Sequence, residues 1–471
     1  MRCRFHWVSC KLEYLRRCIP GRIRRALDEL PETLDETYAR SLEEIDEKDW
    51  KFAHRLFHCV AAASRPLLVN ELAEFLAFDF EAGSTPTFLA DARPKDPAHT
   101  VLSICSNLLA VVESDDGSPV VQFAHSSARE YLVSARLARA KDTISQFHVT
   151  MTTAHTIVAQ ACLGLLLHLD ENITKDRLEN FPLAQYAAEY WLGHARIEDV
   201  SSSVQDGMKR LFDPSRSHLS IWTWVYDPED SRRRYEDSEF PKETRATPLH
   251  YAAFCGMHDV VKDLIVEHSQ DVHARGFDDK ETPLHTASRC GHMDVAKLLL
   301  EHGADVGARD KSGWSLLELV SSLGHVKVAQ VLLEHGADPN SQGEQNNTSL
   351  HVAEGKEVTQ LLLDHGADAN ALDINGWTPL HLASAEGRVG AVQVLLECGV
   401  DANVRDASNA IPLHLASRWG HSEGVRILLE YGSDISARDN KGQTPLMNAA
   451  ERGNDEVIQL LLDCGAEDHR K

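Results

Sequence analysis

Long apolar runs are missing from this chain of 471 residues, which contains no stretch of 18 consecutive apolar residues. The most apolar candidate, Ile157 to Leu169, contains Gln160 and His168, so it predicts a buried helix and not a membrane span. The N-terminus carries eight Arg or Lys in its first 25 residues but lacks the apolar core of a signal peptide. A basic nuclear-import segment and a surface helix both stay open for this region.

Paired cysteines are also missing. The ten cysteines are scattered, with no C-x-x-C and no regular paired spacing. In a chain of this length that pattern predicts free thiols and a reducing compartment, and it predicts no metal site. We therefore expect an intracellular protein of the nucleus or the cytoplasm that is neither secreted nor held in a membrane.

Positive charge is scarce. There are 48 Lys and Arg against 72 Asp and Glu, which gives a formal net charge of −24. Between Lys327 and Arg388 the only basic residue is Lys356. An acidic surface of this kind repels phosphate backbones and attracts cationic proteins. We expect no direct contact with nucleic acid, and a protein partner with a basic surface.

Catalytic signatures are absent as well. The chain has no G-x-S-x-G, no H-E-x-x-H and no Cys–His constellation with local support, and it lacks the G-x-x-x-x-G-K-[ST] loop whose backbone amides cradle phosphates. The sequence therefore predicts a protein that is not an enzyme, with no catalytic residue, no cofactor and no small-molecule substrate.

The chain does contain one short sequence motif that occurs seven times, which we call the repeat phrase. The phrase begins at Thr247, Thr282, Ser315, Thr348, Thr378, Ile411 and Thr444, with spacings of 30 to 35 residues, and in its full form reads Thr-Pro-Leu-His. A fixed period of this size indicates stacked structural repeats, and the phrase itself resembles the ankyrin signature. The resemblance implies an α-solenoid that binds other proteins on its concave surface.

The second unit shows why the phrase folds as it does. Thr282 suits the N-cap of a helix, and Pro283 suits the first helical position, where a missing N–H is harmless. Gly291 separates the first helix from the second, and Gly303 ends the second helix. No helix pair of this length buries its apolar stripe alone, so each unit must lean on its neighbours.

The histidines of the phrase could suggest a metal array. They fall one per repeat, however, and are too far apart to share one ion. The ankyrin resemblance implies instead that each braces the loops between neighbouring units. The residues that we assign to the structural repeat motif are Thr247, His250, Thr282, His285, His351, Thr378, His381, His414 and Thr444.

The fourth unit is short. Ala353 and Leu361 lie eight positions apart, whereas Ala287 and Leu298 in the second unit lie eleven positions apart. Three missing residues shorten a helix by almost one turn. We expect the contacts between repeat units to be weakest here. Two interpretations stay open: a functional hinge, and sequence drift that the stack tolerates.

The N-terminal half predicts helices at 34–45, 49–63, 69–78 and Leu102–Leu109, then a hairpin around Asp115–Ser118 and a helix from Ser127. Helices followed by such a hairpin predict a winged helix. Many winged helices bind DNA, but the candidate recognition segment Val69–Phe78 has two Glu and no Lys or Arg. Recognition of DNA requires hydrogen-bond donors and positive charge in that segment, so we expect no contact between this domain and DNA.

Several segments of this half resemble fungal NACHT–ankyrin proteins of the STAND class. These segments are Leu15-Arg-Arg-Cys18, Ala26–Pro31, Thr33–Tyr38, Phe123–Leu132 and Phe181–Trp191 with His194. The resemblance implies that residues 1–32 are a helical remnant of the segment after a nucleotide-binding module, which this sequence lacks. His125 matches the position that contacts nucleotide in that family, and without a phosphate loop we interpret it as a vestigial, structural residue.

The sequence as a whole predicts a mainly α protein with five segments. They are a remnant at 1–32, a winged-helix-like domain at 33–140, a helical spacer at 141–226, a charged linker at 227–243 and seven ankyrin repeats at 244–471.

Aromatic and arginine side chains on the repeats are the candidates for partner binding, since both types dominate interface hot spots. Trp314 and Trp377 directly precede the repeat phrase, while the other candidates fall on the first helices: Arg289, Glu386, Arg418, Trp419 and Arg452. Such tryptophans also commonly pack on a neighbouring repeat, which is the alternative.

Two functions follow from these observations. The first is a non-enzymatic scaffold or regulator that docks a protein on the repeats, with transcription coregulation through protein partners as one form. The second is the sensor part of a STAND-type switch whose ATPase module lies elsewhere.

Overall fold

The computed structural model describes residues 33–81, 83–105, 108–140, 143–229, 244–267, 269–343 and 345–467. The chain divides into two compact units, Met1–Thr244 and Arg245–Lys471. The predicted remnant at 1–32 lies outside the described residues, as does the predicted linker except for residues 227–229.

The N-terminal unit begins with a winged helix. Its helices are Leu34–Glu43, Trp50–Ala62, Val69–Glu74, Pro97–Cys105, Ser126–Leu132 and Ala135–Ala138, with 3-10 turns at Glu47–Asp49, Phe75–Ala77, Ala90–Ala92 and Thr143–Phe147. The strands are Leu67–Leu68, Phe78–Asp79, Thr87–Phe88, Leu109–Glu113 and Pro119–Phe123. The last two pair antiparallel around the Asp115–Ser118 turn, and Leu67–Leu68 joins their sheet. The predicted hairpin is confirmed.

The predicted helix at 102–109 is misplaced. The helix runs from Pro97 to Cys105, and Leu109 is already the first residue of the hairpin. The apolar spacing continues past the end of the helix, because Leu109 at the start of the strand is buried as Ile104 and Cys105 are in the helix.

A bundle of helices completes the N-terminal unit. The helices are Met151–His168, Lys175–Leu178, Ala184–Ala195, Ser201–Leu211 and His218–Val225. Trp191 and Trp222 are both buried, meet edge to face at 5.5 Å, and pack with Phe212. The Trp222 indole N–H donates to the Ala188 carbonyl at 2.8 Å, so this large ring is buried with its polar atom satisfied. Among the described residues, no helix is long and apolar enough to cross a bilayer.

The second unit is a stack of helix pairs. The first helices of the units are Pro248–Phe254, Pro283–Arg289, Leu316–Ser322, Pro379–Glu386, Pro412–Trp419 and Pro445–Arg452. The second helices are His258–Glu267, Met293–Glu301, Val326–Glu334, Lys356–Asp364, Val389–Glu397, Ser422–Glu430 and Asp455–Asp463, and a 3-10 turn spans Ser269–His273. First helices pack on first helices and second on second, which buries the apolar stripe of each unit between its neighbours.

The fourth unit departs further from the pattern than the sequence predicts. Its first helix is not merely shortened: Ser349 to Val352 form only a turn, and Gly355, with φ 89°, leads directly into the helix Lys356–Asp364. The row of first helices is therefore interrupted at this unit. Glu354 N–H donates to the Ser321 carbonyl at 2.9 Å, which ties the turn to the end of the preceding first helix.

Arg388 holds the fourth unit against the fifth. Its side chain is only 13% exposed, and it donates to the carbonyl of buried His351 at 2.8 Å. Its Nε also lies 3.3 Å from Glu354. The fourth unit lacks a first helix with which to pack, so this charged tie replaces part of the missing contact.

We expect Arg388→Ala to lower the free energy of unfolding of the repeats by about 2 kcal/mol, because a buried carbonyl loses a charged donor. The matched control is Arg426→Ala, which removes an exposed pair with Glu423 and should change stability by less than about 0.5 kcal/mol. Urea unfolding of both variants measures the difference; equal losses would contradict the role assigned to Arg388.

Candidate protein interface of the repeats

The repeat phrase forms one row of hydrogen bonds between neighbouring units, which we call braces. In the second unit the Thr282 hydroxyl donates to His285 Nδ1 at 2.8 Å, while Thr282 Oγ1 accepts the His285 backbone N–H and caps the helix. With Nδ1 accepting, Nε2 carries the proton, and in four units it donates to the turn of the following unit. The bonds are His250 to Glu281 O at 3.0 Å, His351 to Trp377 O at 3.1 Å, His381 to Ala410 O at 3.2 Å and His414 to Gln443 O at 3.1 Å. The hydroxyl groups of Thr247 and Thr378 likewise bond to Nδ1 of their histidines. In the seventh unit the Thr444 side chain caps the first helix.

Burial sets the charge state of these histidines. Desolvation lowers the pKa of His250 and of His285 to about 4, and lowers the pKa of His351, His381 and His414 as well. All five are therefore neutral at pH 7, as the acceptor role of Nδ1 requires.

The sequence analysis does not predict a second row of hydrogen bonds between the units. In the second, third, sixth and seventh units, the residue before the second helix reaches back to the end of the first helix of the preceding unit. These bonds are His292 to Phe254 O at 3.0 Å, His325 to Arg289 O at 3.0 Å, His421 to Ala385 O at 2.9 Å and Asn454 to Ser417 O at 2.9 Å. Arg388 fills the equivalent position in the fifth unit. The available signal is the Gly-His dipeptide at 291–292, 324–325 and 420–421.

Two of the partner-binding candidates are engaged within the stack. The Trp377 indole N–H donates to Asp406 of the next unit at 2.9 Å. Arg289 forms a forked ion pair with Glu281, at 3.2 and 3.1 Å, on the turn of its own unit. Because Glu281 is buried and also accepts the His250 brace through its carbonyl, Arg289 helps to hold a junction between units.

Three of the other first-helix candidates are exposed and lie in a row. Glu386, Trp419 and Arg452 are the last residues of three consecutive first helices. Trp419 is 53% exposed, and the Arg452 guanidinium lies 5.4 Å from its ring centroid. Arg418 beside them is half-buried, and Glu386 pairs with Arg388. We call Trp419, Arg452 and Arg418 the helix-end row.

Trp314 lies at the turn of the third unit and is half-buried. Its backbone N–H donates to Asp310 Oδ1 at 2.9 Å, which fixes the turn. With Ser312, Glu318, Gln345 and Asn347 its side chain lines a cavity of about 140 Å³. The structure thus places Trp314 away from the helix-end row.

His125 stands at the N-cap of the helix Ser126–Leu132. Its Nδ1 accepts the Ser127 backbone N–H at 3.1 Å and lies 2.6 Å from the Ser127 hydroxyl, which in turn contacts the Tyr38 hydroxyl at 2.8 Å. These contacts join the helix after the hairpin to the first helix of the winged helix. Within the described ranges, no group of three or more His, Cys, Asp or Glu is placed to hold a metal ion.

Family models match both units. Three copies of the model described as ankyrin repeats match residues 249–343, 342–406 and 398–471. The C-terminal half of the chain consists of ankyrin repeats. The model described as the winged helix domain of GPI inositol-deacylase matches residues 42–150. The mainly helical fold class, with an N-terminal winged helix before ankyrin repeats, is therefore confirmed.

Two fungal proteins are similar to this chain. The azaphilone pigments biosynthesis cluster protein L of Monascus ruber is 31% identical over 254 residues, which are 52% of this chain and 53% of that protein. The vegetative incompatibility protein HET-E-1 of Podospora anserina is 23% identical over 218 residues, 42% of this chain and 15% of that protein. This chain thus spans about half the length of the first relative and a small part of the second.

The ankyrin repeats are also similar to solved structures. The human ASB11 ankyrin repeat domain is 30% identical, with 46% of this chain and 97% of that chain covered and a TM-score of 0.41. The ankyrin repeat domain of Bcl-3 is 33% identical, with 47% and 100% covered and a TM-score of 0.40.

Proposed function

We propose that this chain is a non-enzymatic scaffold or regulator that docks a protein partner on its ankyrin repeats. Ankyrin repeats mediate protein–protein interaction. The observation that supports the proposal most directly is the helix-end row, where a half-exposed Trp419 stacks with Arg452. An exposed tryptophan that an arginine already holds in place is preorganised. Its side chain therefore loses little rotamer freedom when a partner covers it.

The proposed interface includes Trp419, Arg452, Arg418 and Trp314. Trp377 and Arg289 contribute in this proposal by fixing the turns, since their polar atoms are already bonded to Asp406 and Glu281. The partner carries basic groups, because the fourth and fifth units are strongly acidic. We place it inside the cell, in the nucleus or the cytoplasm, and transcription coregulation is one form of this function.

We expect the double variant Trp419→Ala with Arg452→Ala to weaken partner binding at least tenfold, since a buried aromatic anchor contributes about 2 kcal/mol or more. The measurement is quantitative capture of partners from the native cells by the tagged chain, followed by affinity measurement with the recovered protein. Tyr431→Ala is the matched control, because it removes an aromatic ring of 45% exposure from the end of a second helix. Unchanged affinity in the double variant would reject the helix-end row as the interface.

A second candidate function is the sensor part of a STAND-type switch. It is favoured by the winged helix before the repeats and by the similarity to HET-E-1. Recovery of a separate ATPase with a phosphate loop in the same capture would favour the switch, whereas recovery of transcription factors would favour the coregulator.

A further inference from the structure

The cavity beside Trp314 exists because the third unit breaks the repeat phrase. Glu318 occupies the position of the bracing histidine and, unlike it, has no proton to donate to the turn of the next unit. The next turn passes close to this carboxylate: a Cβ at Gly343 would lie 2.4 Å from Glu318 Oε1. The cavity of about 140 Å³ lies between the turns of the third and fourth units, with Trp314 and Glu318 contributed by one and Gln345 and Asn347 by the other.

The cavity contains a buried carboxyl group at a position where most other units have a histidine. Glu318 is only 2% exposed, and burial raises the pKa of its carboxyl group. Its Oε2 accepts the Ser315 backbone N–H at 2.8 Å. The Ser315 side chain also bonds to this carboxyl group. A carboxylate offers about four acceptor positions, so these bonds leave part of its capacity available.

The nearest cation only partly compensates that carboxylate. Arg309 Nη1 lies 3.6 Å from Glu318 Oε2, longer than a normal N–H···O bond. The guanidinium instead donates to the Gly313 carbonyl at 2.6 Å and to Ser341 Oγ at 2.5 Å. On the other side of the cavity, Asn347 Oδ1 is buried and accepts no hydrogen bond from the described residues. Asn347 Oδ1 therefore lacks a donor, and the Glu318 carboxylate is only partly compensated.

We propose that this cavity is a specific pocket for one lysine or arginine side chain of the protein partner. Glu318 supplies the counter-charge, the Asn347 and Gln345 amide oxygens supply acceptors, and the Trp314 ring supplies a face for a cation. The proposal rests on the proposed function, because it names the chemistry by which a partner is recognised. The chain between Lys327 and Arg388, with Lys356 as its only basic residue, draws such a partner toward the pocket.

An apolar occupant fits this pocket poorly. It would leave the Asn347 amide oxygen desolvated without a donor and the Glu318 carboxylate only partly compensated, which is unfavourable for both groups. A basic side chain satisfies them and also covers the indole ring.

The test is a selection of short random peptides on the full-length chain, followed by substitution of each selected peptide. We expect the selected peptides to share one Lys or Arg whose replacement by norleucine or Gln weakens binding about tenfold, at an ionic strength that screens general attraction. Exchange of that residue between Lys and Arg identifies which of the two the pocket prefers. A requirement for an apolar residue in place of a basic one would overturn the proposal.

Variants of the chain locate the site. Trp314→Leu and Glu318→Gln are each expected to weaken the same peptides about tenfold and to erase their preference for the basic residue over norleucine. Trp314→Phe keeps a ring and should retain the preference, while Tyr431→Leu, which removes an exposed aromatic ring outside the proposed interface, is the control. Thermal unfolding confirms that each variant is folded.

The outcomes separate the pocket from the wider proposal. Peptides that lose affinity in Trp419→Ala but keep it in Trp314→Leu would overturn the pocket and leave the repeats as a binding surface. Failure to select any peptide, together with failure to capture a partner, would reject both.

Discussion

As the pH falls from about 7 to about 5, the free energy of unfolding of the ankyrin repeats is expected to fall by several kcal/mol. The five buried histidines of the repeat phrase all have a pKa below the ordinary value of 6.5, and the pKa of His250 and His285 is about 4. In the unfolded chain they regain the ordinary pKa. Between pH 6.5 and 4 the unfolded state therefore binds more protons than the folded state, and stability decreases as the pH decreases.

The magnitude follows from the size of the pKa shifts. At pH 5, a histidine whose folded pKa is about 4 destabilises the fold by roughly 2 kcal/mol, because each pH unit below the unfolded pKa is worth about 1.4 kcal/mol. Glu318 acts in the opposite sense, because its raised pKa stabilises the folded state as the pH falls through it. His250 and His285 together therefore account for roughly 4 kcal/mol at pH 5, and the other three histidines act in the same direction.

Hydrogen exchange of the repeat segments between pH 7 and pH 5, corrected for the intrinsic rate, measures this loss locally. A chain carrying His250→Gln is the control, since a glutamine amide can still donate to the Glu281 carbonyl but does not titrate in this range. We expect its dependence on pH to be shallower. Protection that stays constant over this range, or an equal slope in the two chains, would contradict neutral bracing histidines.

The sequence specifies most of the repeat unit because local signals and the stack agree there. Thr282, Pro283 and Gly291 each have the backbone role that their chemistry requires, and the Asp115–Ser118 turn has the hairpin that it predicts. The fourth unit could not be derived, since its missing residues fix only a length. Whether the chain keeps a shorter helix or none depends on contacts such as that of Glu354 with Ser321.

The candidate interface was less accessible to sequence reasoning. The sequence leaves open whether Trp314 and Trp377 bind a partner or pack on a neighbouring repeat, and Trp377 is bonded to Asp406, which is 29 residues away in the chain. No periodicity reveals that pairing. The cavity likewise depends on how the turn at Gln345 approaches Glu318, although the replacement of histidine by glutamate in the phrase was a visible signal.

Gly387→Ala is expected to destabilise the repeats by about 2 to 4 kcal/mol. Gly387 ends the first helix of the fifth unit with φ 69°, which for an alanine costs about 1 kcal/mol. Its Cβ would in addition lie 2.5 Å from His421 Nδ1, and this contact displaces the ring that bonds to Ala385 O. Overpacking of this kind contributes about 1 to 3 kcal/mol more.

Gly453→Ala is the matched control for that prediction. Gly453 ends the first helix of the seventh unit with φ 72°, but nothing lies within 4 Å of a Cβ built there. The difference between the two variants in urea unfolding therefore isolates the contact with His421 from the backbone strain. Equal losses would show that the second row of braces contributes little. If Gly387→Ala is much the worse, adding His421→Ala should recover part of the loss, because removing the ring removes the clash. That recovery would assign the excess loss to the clash between the new Cβ and the His421 ring.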